Sequence, residues 1–356
     1  MKKVLYIDLF SQYGHTNLNK VFISRFENLG YDLNYVVREG YIEELEISKK
    51  KVVWAIPEKY FSNSFGKLKG RFIQYKMLTY IKNNISTTEY ELLFFSFFEE
   101  ISFGFANLKG NIVLMNHSNI SGLTNRFKLF FLKKSSTKAK ILVFHESIKV
   151  RLSEFGINHV IVEPLGLFKA YPTETDLIKI EKLRKIDDRL LSVEFEFRIL
   201  IPTASKYDNS FISEVTSNPT FLNFLKTENI LLIVKDKSIQ SSHKNVLVID
   251  SFLSDDSYKS IFMISDTLLL HYPHTFEYKI SAALFECFAN YKPVLLSNIA
   301  SFKAFNAHFE YQPFYENQEQ LIESINELKH FLSSSDNRPI YRNLDALNPT
   351  LNSIFQ

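Results

Sequence analysis

The sequence has little cysteine, glycine or proline, and each shortage excludes a class of protein. Cys287 is the only cysteine in 356 residues, so an intramolecular disulfide is impossible and a disulfide-stapled secreted scaffold is excluded. Ten glycines and ten prolines beside 46% hydrophobic residues exclude a collagen-like or disordered chain. The longest apolar run, at 92–98, is far shorter than the roughly 18 residues that a membrane-spanning helix needs. We therefore expect a globular cytoplasmic protein without a membrane span.

The chain also lacks the short motifs that mark several enzyme classes. It contains no Walker phosphate loop, no G-x-G-x-x-G and no G-x-S-x-G. Walker-type kinases, Rossmann dehydrogenases and α/β-hydrolases are thus disfavoured. The acidic pairs at 187–188 and 255–256 have no His or Cys at ligand spacing, and Ser254 makes the second pair typical of a capped helix start. We predict no metal site.

The formal net charge of +3 conceals two halves of opposite sign. Residues 1–170 hold 24 Lys and Arg against 15 Asp and Glu, a balance of +9, whereas residues 171–356 hold 18 against 24, a balance of −6. The basic half favours phosphates or a lipid surface as partners, and its excess is too small to indicate nucleic acid. Basic aromatic stretches at 59–76 and 125–140 suit an anionic membrane, although amphipathic helices around a sheet share this composition.

Apolar segments alternate with helix-like segments along the whole chain. The predicted strands of the first half lie at 4–10, 32–37, 51–56, 92–98, 111–117, 139–144 and 159–166, with a helix at 18–30. Those of the second half lie at 198–204, 229–236, 245–252, 266–272 and 293–298, with helices near 209–226, 255–264, 281–290 and 317–334. Continuously apolar strands joined by helices predict buried parallel sheets.

These patterns predict an α/β protein with two Rossmann-like, doubly wound parallel-sheet domains that face each other across a cleft. At roughly 100–200 residues per domain, the length agrees with two domains. We assign residues 1–170 to the first and 196–337 to the second. The charged, helix-prone stretch 171–195 is predicted to be the linker, and the tail 338–356 to pack back on the first domain.

The segment 266–298 contains the strongest indication of a binding site. A strand ends near Tyr272, a polar loop runs to Lys279, and Ser281 stands where the N-cap of the next helix belongs. A helix start offers N–H groups and the positive end of a dipole, and open α/β sheets bind ligands at the carboxyl ends of their strands. This helix start, with Lys279 beside it, is therefore predicted to form a phosphate pocket.

Glu286 lies further along the same predicted helix, about 140° around from Ser281. One interpretation is a solvated helix carboxylate. The other is a carboxylate that accepts paired hydrogen bonds from ribose hydroxyls. The second is favoured because the flanking Phe285, Cys287 and Phe288 are apolar, so Glu286 does not lie on an evidently polar face.

This strand, loop and helix, with FECFA at 285–289 followed by KPV at 292–294, resembles the nucleotide-sugar domain of GT-B glycosyltransferases, especially their large retaining group. Segments 145–157, 162–167 and 255–270 are also similar to that family. The resemblance spans the chain and is strongest over 245–298. It implies a metal-independent, retaining transferase without a cofactor that moves a sugar from a nucleotide diphosphate to a hydroxyl. The implied acceptor is a saccharide or a lipid-linked glycan, and the enzyme would contact anionic membrane peripherally.

The resemblance also implies roles for individual residues. On the donor side it implies a contact from Lys206 to the diphosphate, from the loop at Phe252 and Leu253 to the base, and from Glu286 to the ribose. Lys279 and Ser281 join the diphosphate contacts from the helix-start argument above. His117 would touch the donor sugar, with His145 as the second candidate. On the acceptor side it implies a loop at Gly14 and His15, where glycine permits close backbone approach.

One departure from the family affects catalysis. The family has two Glu separated by seven residues, and the second matches Glu286, so the first is expected at 278. Tyr278 stands there, with Glu277 beside it. Either the loop is one residue longer and Glu277 is the catalytic carboxylate beside the donor-site Tyr278, or that carboxylate is absent.

Two alternatives to the transferase stay open. A sugar-nucleotide epimerase of the same fold needs acid and base carboxylates and His together, and the sequence shows no compact set of them. A binding or scaffold subunit that has lost catalysis is supported by Tyr278 in place of the expected Glu.

Overall fold

The computed structural model describes residues 2–10, 15–61, 67–116, 125–171, 179–202, 210–251, 253–334 and 339–355. The chain divides into two compact units. The first comprises Met1–Phe168, Tyr278–Ile280 and Asp345–Gln356, and the second comprises Lys169–Glu277 and Ser281–Leu344. No helix in the described ranges combines the length and apolarity needed to span a membrane.

The first unit is built on a seven-stranded sheet in the order β3-β2-β1-β4-β5-β6-β7. Its strands are β1 (Lys3–Asp8), β2 (Asp32–Arg38), β3 (Val52–Ile56), β4 (Leu92–Phe97), β5 (Ile112–Met115), β6 (Lys140–Val143) and β7 (Val160–Val162). Its helices are α1 (Thr16–Asn28), α2 (Tyr41–Glu44), α3 (Lys67–Asn84), α4 (Glu100–Ala106), α5 (Arg126–Ser136) and α6 (Glu146–Glu154). Every strand pairs in parallel with its neighbours.

The second unit repeats this architecture with six strands in the order β10-β9-β8-β11-β12-β13. Its strands are β8 (Phe197–Ile201), β9 (Ile230–Val234), β10 (Val246–Val248), β11 (Thr267–Leu270), β12 (Val294–Ser297) and β13 (Phe314–Tyr315). Its helices are α7 (Ile180–Ile186), α8 (Ser210–Val215), α9 (Pro219–Thr227), α10 (Asp255–Ile264), α11 (Ala282–Ala289), α12 (Ala300–Lys303) and α13 (Gln318–Ser334). A last short helix, α14 (Asn352–Phe355), belongs to the first unit.

Both sheets have the doubly wound arrangement that the apolar segments predicted. The chain winds outward from β1 in one direction and from β4 in the other, and likewise from β8 and from β11. The interior strands β5, β9 and β12 are buried along their whole length, and β4 is buried except at Phe97, as their mostly apolar sequences require. The predicted fold class is confirmed for each unit.

The single helix predicted near 209–226 is wrong, because the chain forms two helices there. Asn218 lies outside both and its side-chain oxygen accepts hydrogen bonds from the N–H groups of Thr220 and Phe221. Pro219 follows at the first helical position, where its missing N–H costs nothing. The Asn-Pro pair therefore starts a new helix.

Tyr171 and residues 179–195, the described part of the stretch predicted as a linker, belong instead to the second unit. Its helix α7 and a following 3-10 turn bury Leu183 and Leu190. Lys182 forms an ion pair with Asp256 at 2.5 Å, and the Arg189 guanidinium donates to two backbone carbonyls beside β10. The charged, helix-prone composition correctly indicated a helix. The apolar side chains of this segment are buried in the second unit, however, so the segment is part of that unit and not a linker between two domains.

Two short segments also differ from the predicted boundaries. Tyr278–Ile280 falls inside the predicted second domain yet belongs to the first unit, because Tyr278 and Ile280 pack against the first unit's core. The tail divides near Leu344: Tyr341 packs on Phe288 of the second unit, and only the chain from 345 onwards lies on the first.

Glu163 anchors the end of the tail in the first unit. This carboxylate is 1% exposed and accepts hydrogen bonds from the N–H groups of Thr350 at 2.9 Å, Leu351 at 3.0 Å and Ser353 at 3.3 Å. Leu351 has a left-handed backbone, with φ of 59°, which a leucine rarely adopts unassisted. The buried carboxylate therefore holds a conformation that the tail would not keep alone.

Replacing Glu163 by Ala is expected to lower the free energy of unfolding by about 3 kcal/mol, because three N–H groups, that of the buried Leu351 among them, lose a charged acceptor. Urea denaturation measures this loss. Glu46→Ala, which removes a carboxylate 79% exposed from its ion pair with Lys20, is the control and should change stability by at most about 1 kcal/mol. Equal losses in both variants would contradict the anchoring role.

Candidate functional site

The candidate site of the second unit lies at the carboxyl edge of its sheet, beside the point where strand order reverses between β8 and β11. The residues after β11 are tied to β12 at this edge. The Tyr272 N–H donates to the Ser297 hydroxyl oxygen at 2.9 Å, and that hydroxyl donates back to the Tyr272 carbonyl at 3.0 Å. The connection from β11 to α11 therefore leaves the sheet in a fixed direction.

Helix α11 begins at this edge, and the prediction that Ser281 is its N-cap is confirmed. The Ser281 hydroxyl accepts a hydrogen bond from the Leu284 N–H at 3.4 Å and lies 2.9 Å from the Tyr272 hydroxyl. Ser281 itself is buried, so its side chain serves the helix and the tyrosine. The first helical residues, Ala282 and Ala283, are exposed and partly exposed. Their N–H groups are those that a first turn leaves without an intrahelical acceptor, and the small side chains leave room for an anion.

Glu286, one turn further along α11, is held by two tyrosines. Tyr171 donates to one carboxylate oxygen, and Tyr258 of α10 donates to the other at 2.8 Å. Lys259 lies over the Tyr171 ring at 5.3 Å from its centre. The interpretation of Glu286 as a solvated helix carboxylate is therefore wrong, since its carboxylate is an internal acceptor between three elements of the second unit.

The electrostatics of this cluster follow from its burial. Desolvation raises the pKa of the Glu286 carboxyl, and the two tyrosine hydroxyls oppose that rise by donating to the charged form. Burial and the adjacent carboxylate raise the pKa of both Tyr171 and Tyr258, which therefore stay protonated and keep their hydrogens for donation. Each carboxylate oxygen can accept a second hydrogen bond. The cluster thus retains capacity for a further hydroxyl.

The remaining donor-side residues are placed as follows. Glu277 ends a 3-10 turn and its N–H donates to the His274 carbonyl at 3.1 Å. Leu253 is buried. In the first unit, Arg151 lies over the Tyr278 ring at 5.6 Å, and burial lowers the pKa of the Lys279 ammonium. No contact here tests the roles of these residues, which stay predictions.

The carboxyl edge of the first unit's sheet holds a buried polar cluster around Asp8, the last residue of β1. Asp8 is fully buried and accepts hydrogen bonds from the Phe10 N–H at 2.8 Å and the Asn19 amide at 2.6 Å. The side-chain Oδ1 atom of Asn19 in turn accepts a hydrogen bond from the Tyr6 hydroxyl at 2.7 Å. Burial lowers the pKa of the nearby His15, with the Asp8 charge acting in the opposite direction. His15 is thus a neutral imidazole at pH 7.

His145 starts α6 at the same edge and its ring acts as a helix cap. Its Nδ1 atom accepts a hydrogen bond from the Ser147 N–H at 3.1 Å. Since β6 lies three strand spacings from β1 in the sheet, roughly 14 Å separate the ends of the strands before His145 and His15. His15 and His145 therefore follow strands that are not neighbours in the first unit's sheet.

Four predicted site residues lie outside the described residues: Gly14, His117, Lys206 and Phe252. Sequence reasoning missed Tyr171, Tyr258 and Asp8. Tyr171 lies at the start of the stretch predicted to be the linker, and Tyr258 lies on α10. Both residues therefore reach Glu286 only through tertiary packing. Asp8 did carry a signal, because a charged residue at the end of an apolar strand is costly to bury unless it has a partner.

Among the residues that the structure describes, no three His, Cys, Asp or Glu side chains cluster as a metal site would require. The comparison with known proteins bears on the fold instead. No protein-family model matches the sequence, and no curated protein does either.

Solved structures, in contrast, resemble the chain over nearly its full length. Anabaena Alr3699/HepE in complex with UDP and glucose superposes with a TM-score of 0.60 at 11% identity, covering 100% of this chain and 94% of that one. The UDP-GlcNAc 2-epimerase from Methanocaldococcus jannaschii gives 0.58 at 11% identity, covering 97% and 95%. OtsA, a trehalose-6-phosphate synthase, gives 0.57 at 10% identity, covering 99% and 95%.

The chain has the GT-B fold. The predicted resemblance is confirmed at this level, and the two doubly wound sheets are the two Rossmann-like domains of that fold. Because only about one residue in nine is identical, the likeness to these solved structures shows the fold alone. The activity has to be argued from the residues of the site.

Replacing Glu286 by Gln is expected to alter the pH dependence of stability of this GT-B protein. Because the pKa of Glu286 is raised above its ordinary value of 4.5, the folded state holds this proton more tightly than the unfolded chain does. Wild-type protein therefore loses stability as the pH rises from about 4.5 through the folded pKa. The Gln variant has no such proton and should gain stability relative to wild type over that interval, then level off.

Urea denaturation across this pH range measures the difference. Glu327→Gln, at an exposed position of α13 in the same unit, is the matched control and should show no such trend. A stability difference for the Glu286 variant that does not change with pH would contradict the assignment of a buried, proton-binding carboxylate.

Proposed function

We propose that this protein is a glycosyltransferase that moves a sugar from a nucleoside diphosphate to a hydroxyl of a saccharide or lipid-linked glycan. The observation that carries the proposal is the whole-chain likeness to a structure that holds UDP and glucose. Other neighbours also have UDP or a UDP-sugar in their names. A nucleoside diphosphate, free or as part of a UDP-sugar, is thus the ligand class that these structures share.

The proposed diphosphate site is the start of α11. The N–H groups of Ala282 and Ala283 point out of the first turn, and Ser281 is already occupied in capping the helix. As the glycosidic bond breaks, negative charge gathers on the leaving diphosphate. Fixed N–H groups at a helix start stabilise that charge without reorganising. Lys206, which the resemblance implies for the diphosphate, and Lys279, which precedes the helix start in sequence, are the proposed cations for the same group.

Glu286 is proposed to hold the ribose. The two tyrosines orient its carboxylate and leave each oxygen with one further lone pair. A pair of ribose hydroxyls could donate to these oxygens. Tyr171 and Tyr258 would then be positioning residues, because they act through Glu286 rather than on the ligand.

The remaining roles in the proposed reaction rest on the resemblance alone. His117 is proposed to contact the donor sugar and Glu277 to be the catalytic carboxylate. Transfer is proposed to proceed with retention and without a bound divalent ion. On the acceptor side we propose His15, whose lowered pKa leaves a neutral imidazole able to accept a proton.

Because the single Cys287 is a buried free thiol, we propose a reducing, cytoplasmic location.

A sugar-nucleotide epimerase is the second candidate. Several structural neighbours are named UDP-GlcNAc 2-epimerases, among them the enzymes from Methanocaldococcus jannaschii and Neisseria meningitidis. The two activities share a donor nucleotide and differ in products. A transferase releases the nucleoside diphosphate, whereas an epimerase returns the nucleotide sugar with one inverted carbon.

Thermal denaturation with UDP, GDP, CDP and their sugars is expected to show stabilisation by one nucleotide class. A ligand present at about 100 times its dissociation constant adds about 2.7 kcal/mol to the folded state. NMR of the products then separates the candidates: a new glycoside or slow donor hydrolysis supports the transferase, and an altered sugar still attached to its nucleotide supports the epimerase. No stabilisation by any nucleotide would contradict both and favour the scaffold alternative.

Ala282→Pro tests the helix start directly. Proline is favoured at a first helical position and Ser281 already has an extended backbone, so α11 should form while one N–H is lost. Nucleoside diphosphate affinity should fall about tenfold or more, as for a hydrogen bond to a charged group. Ala282→Gly keeps the N–H and is the matched control. Equal affinity of the two variants, measured calorimetrically, would remove α11 from the proposed site.

A further inference from the structure

The amino edge of the second unit's sheet has a cavity of about 860 Å³, on the side of the sheet opposite to the candidate site. Its walls come from residues that precede three adjacent strands, β8, β9 and β10, and from α9 and the end of α8. Because parallel strands all start at one edge, the length of β8 places roughly 16 Å between this cavity and the carboxyl edge. Its volume lies within the roughly 300–1,000 Å³ typical of small-molecule sites. We call it the amino-edge cavity.

Asn245 presents a buried hydrogen-bond acceptor to the amino-edge cavity. The residue is 5% exposed, and its side-chain amide nitrogen donates to the Leu225 carbonyl at 3.1 Å and the Ile230 carbonyl at 2.9 Å. Both amide hydrogens are thus used inside the unit. Among the residues that the structure describes, the Oδ1 atom has no donor, and it is not sealed from solvent, so it faces the cavity that Asn245 lines. A buried oxygen in this state gains a hydrogen bond when a ligand supplies a hydroxyl.

Two donors line the same space. The Nδ1 atom of His243 accepts a hydrogen bond from the Asn245 N–H at 3.3 Å, so the neutral ring carries its proton on Nε2. The Ser241 hydroxyl oxygen accepts from the His243 N–H at 3.3 Å, which leaves the hydroxyl hydrogen for donation. The Arg189 guanidinium holds this loop by donating to the backbone carbonyls on either side of Asn245. The cavity therefore combines fixed donors with a fixed acceptor.

The charges in the cavity walls largely cancel. Lys244 and Glu194 form an ion pair at 2.8 Å, and Lys226 lies at the exposed rim, where water and salt screen it. Phe195 and Leu222 add a small apolar wall. An anion would meet the Glu194 carboxylate and the buried amide oxygen, whereas a cation would meet two ammonium groups. A ligand with several neutral hydroxyls satisfies all these groups, because each hydroxyl both donates and accepts.

We propose that the amino-edge cavity binds a neutral oligosaccharide, at a site separate from the one proposed for sugar transfer. Sugar hydroxyls would donate to the Asn245 Oδ1 atom and accept from His243 and Ser241. The C–H face of a sugar ring would pack against Leu222. Of the described residues in the cavity walls, none is assigned a role in sugar transfer. The proposal therefore stands or falls independently of the nucleotide-dependent activity.

Saturation-transfer NMR with short neutral oligosaccharides of glucose, galactose, mannose and N-acetylglucosamine tests the proposal, in the absence and in the presence of UDP. Wild-type protein should bind at least one of them in both conditions. Ser242→Trp should lose this binding, because an indole at the exposed rim obstructs the cavity without removing a side-chain hydrogen bond of the described structure. His243→Phe keeps the ring shape, removes the Nε2 donor and should weaken binding about fivefold.

The matched controls are Ser333→Trp and His330→Phe, at exposed positions of α13 in the same unit, and both should bind saccharide like wild type. The thermal midpoint and the UDP affinity of Ser242→Trp should equal those of wild type. Failure of the proposed function would instead appear as absent UDP binding with saccharide binding retained. The oligosaccharide proposal is overturned if wild type binds none of the sugars, if Ser242→Trp and His243→Phe bind like their controls, or if inorganic phosphate displaces the sugar, because the cavity is then an anion site.

Discussion

Parallel strand pairing is the constraint on which the rest of this structure depends. Each parallel strand must be reached by a crossover, so all the strands of a sheet end at one edge and every loop after a strand emerges there. In the first unit, Asp8, His15 and His145 lie at or directly after the strand ends of that edge. In the second unit, Tyr272, Ser297 and the start of α11 lie there. Chemistry can therefore be assembled from residues far apart in sequence without any motif.

A buried carboxylate organises the polar part of the second unit. Glu286 is retained at a desolvated position because Tyr171 and Tyr258 satisfy both of its oxygens. Removing one of the three side chains would leave a buried polar group without its hydrogen-bond partner, so the stability contributions of the three residues depend on one another. The two tyrosine donors fix the orientation of the carboxylate, which the proposed recognition of a ribose hydroxyl pair would require.

Much of the fold could be predicted from the sequence, because continuous apolar runs and helix caps are local signals. The strands at β4, β9 and β12 and the cap at Ser281 are of this kind. Features that depend on tertiary packing could not. Leu183 and Leu190 are buried, so the charged segment that contains them is part of the second unit and not a linker. The two tyrosines that donate to Glu286 lie far from it in the sequence.

The site was predictable to a smaller extent for the same reason. A helix start that follows a strand can be predicted from the local sequence. The hydrogen-bond partners of a buried carboxylate cannot, because they depend on which side chains the folded chain brings close to it. The first glutamate of the GT-B family pattern is replaced here by Tyr278. Direct observation of the bound ligand is therefore the decisive test of the site.

Amide hydrogen exchange of α11 with and without UDP measures the central claim most directly. If a diphosphate is held by the start of this helix, exchange at Ala282 and Ala283 should slow on UDP binding, while the Leu284 amide, already bound to the Ser281 hydroxyl, should change little. Unchanged exchange at both alanines under conditions where UDP binds would contradict it.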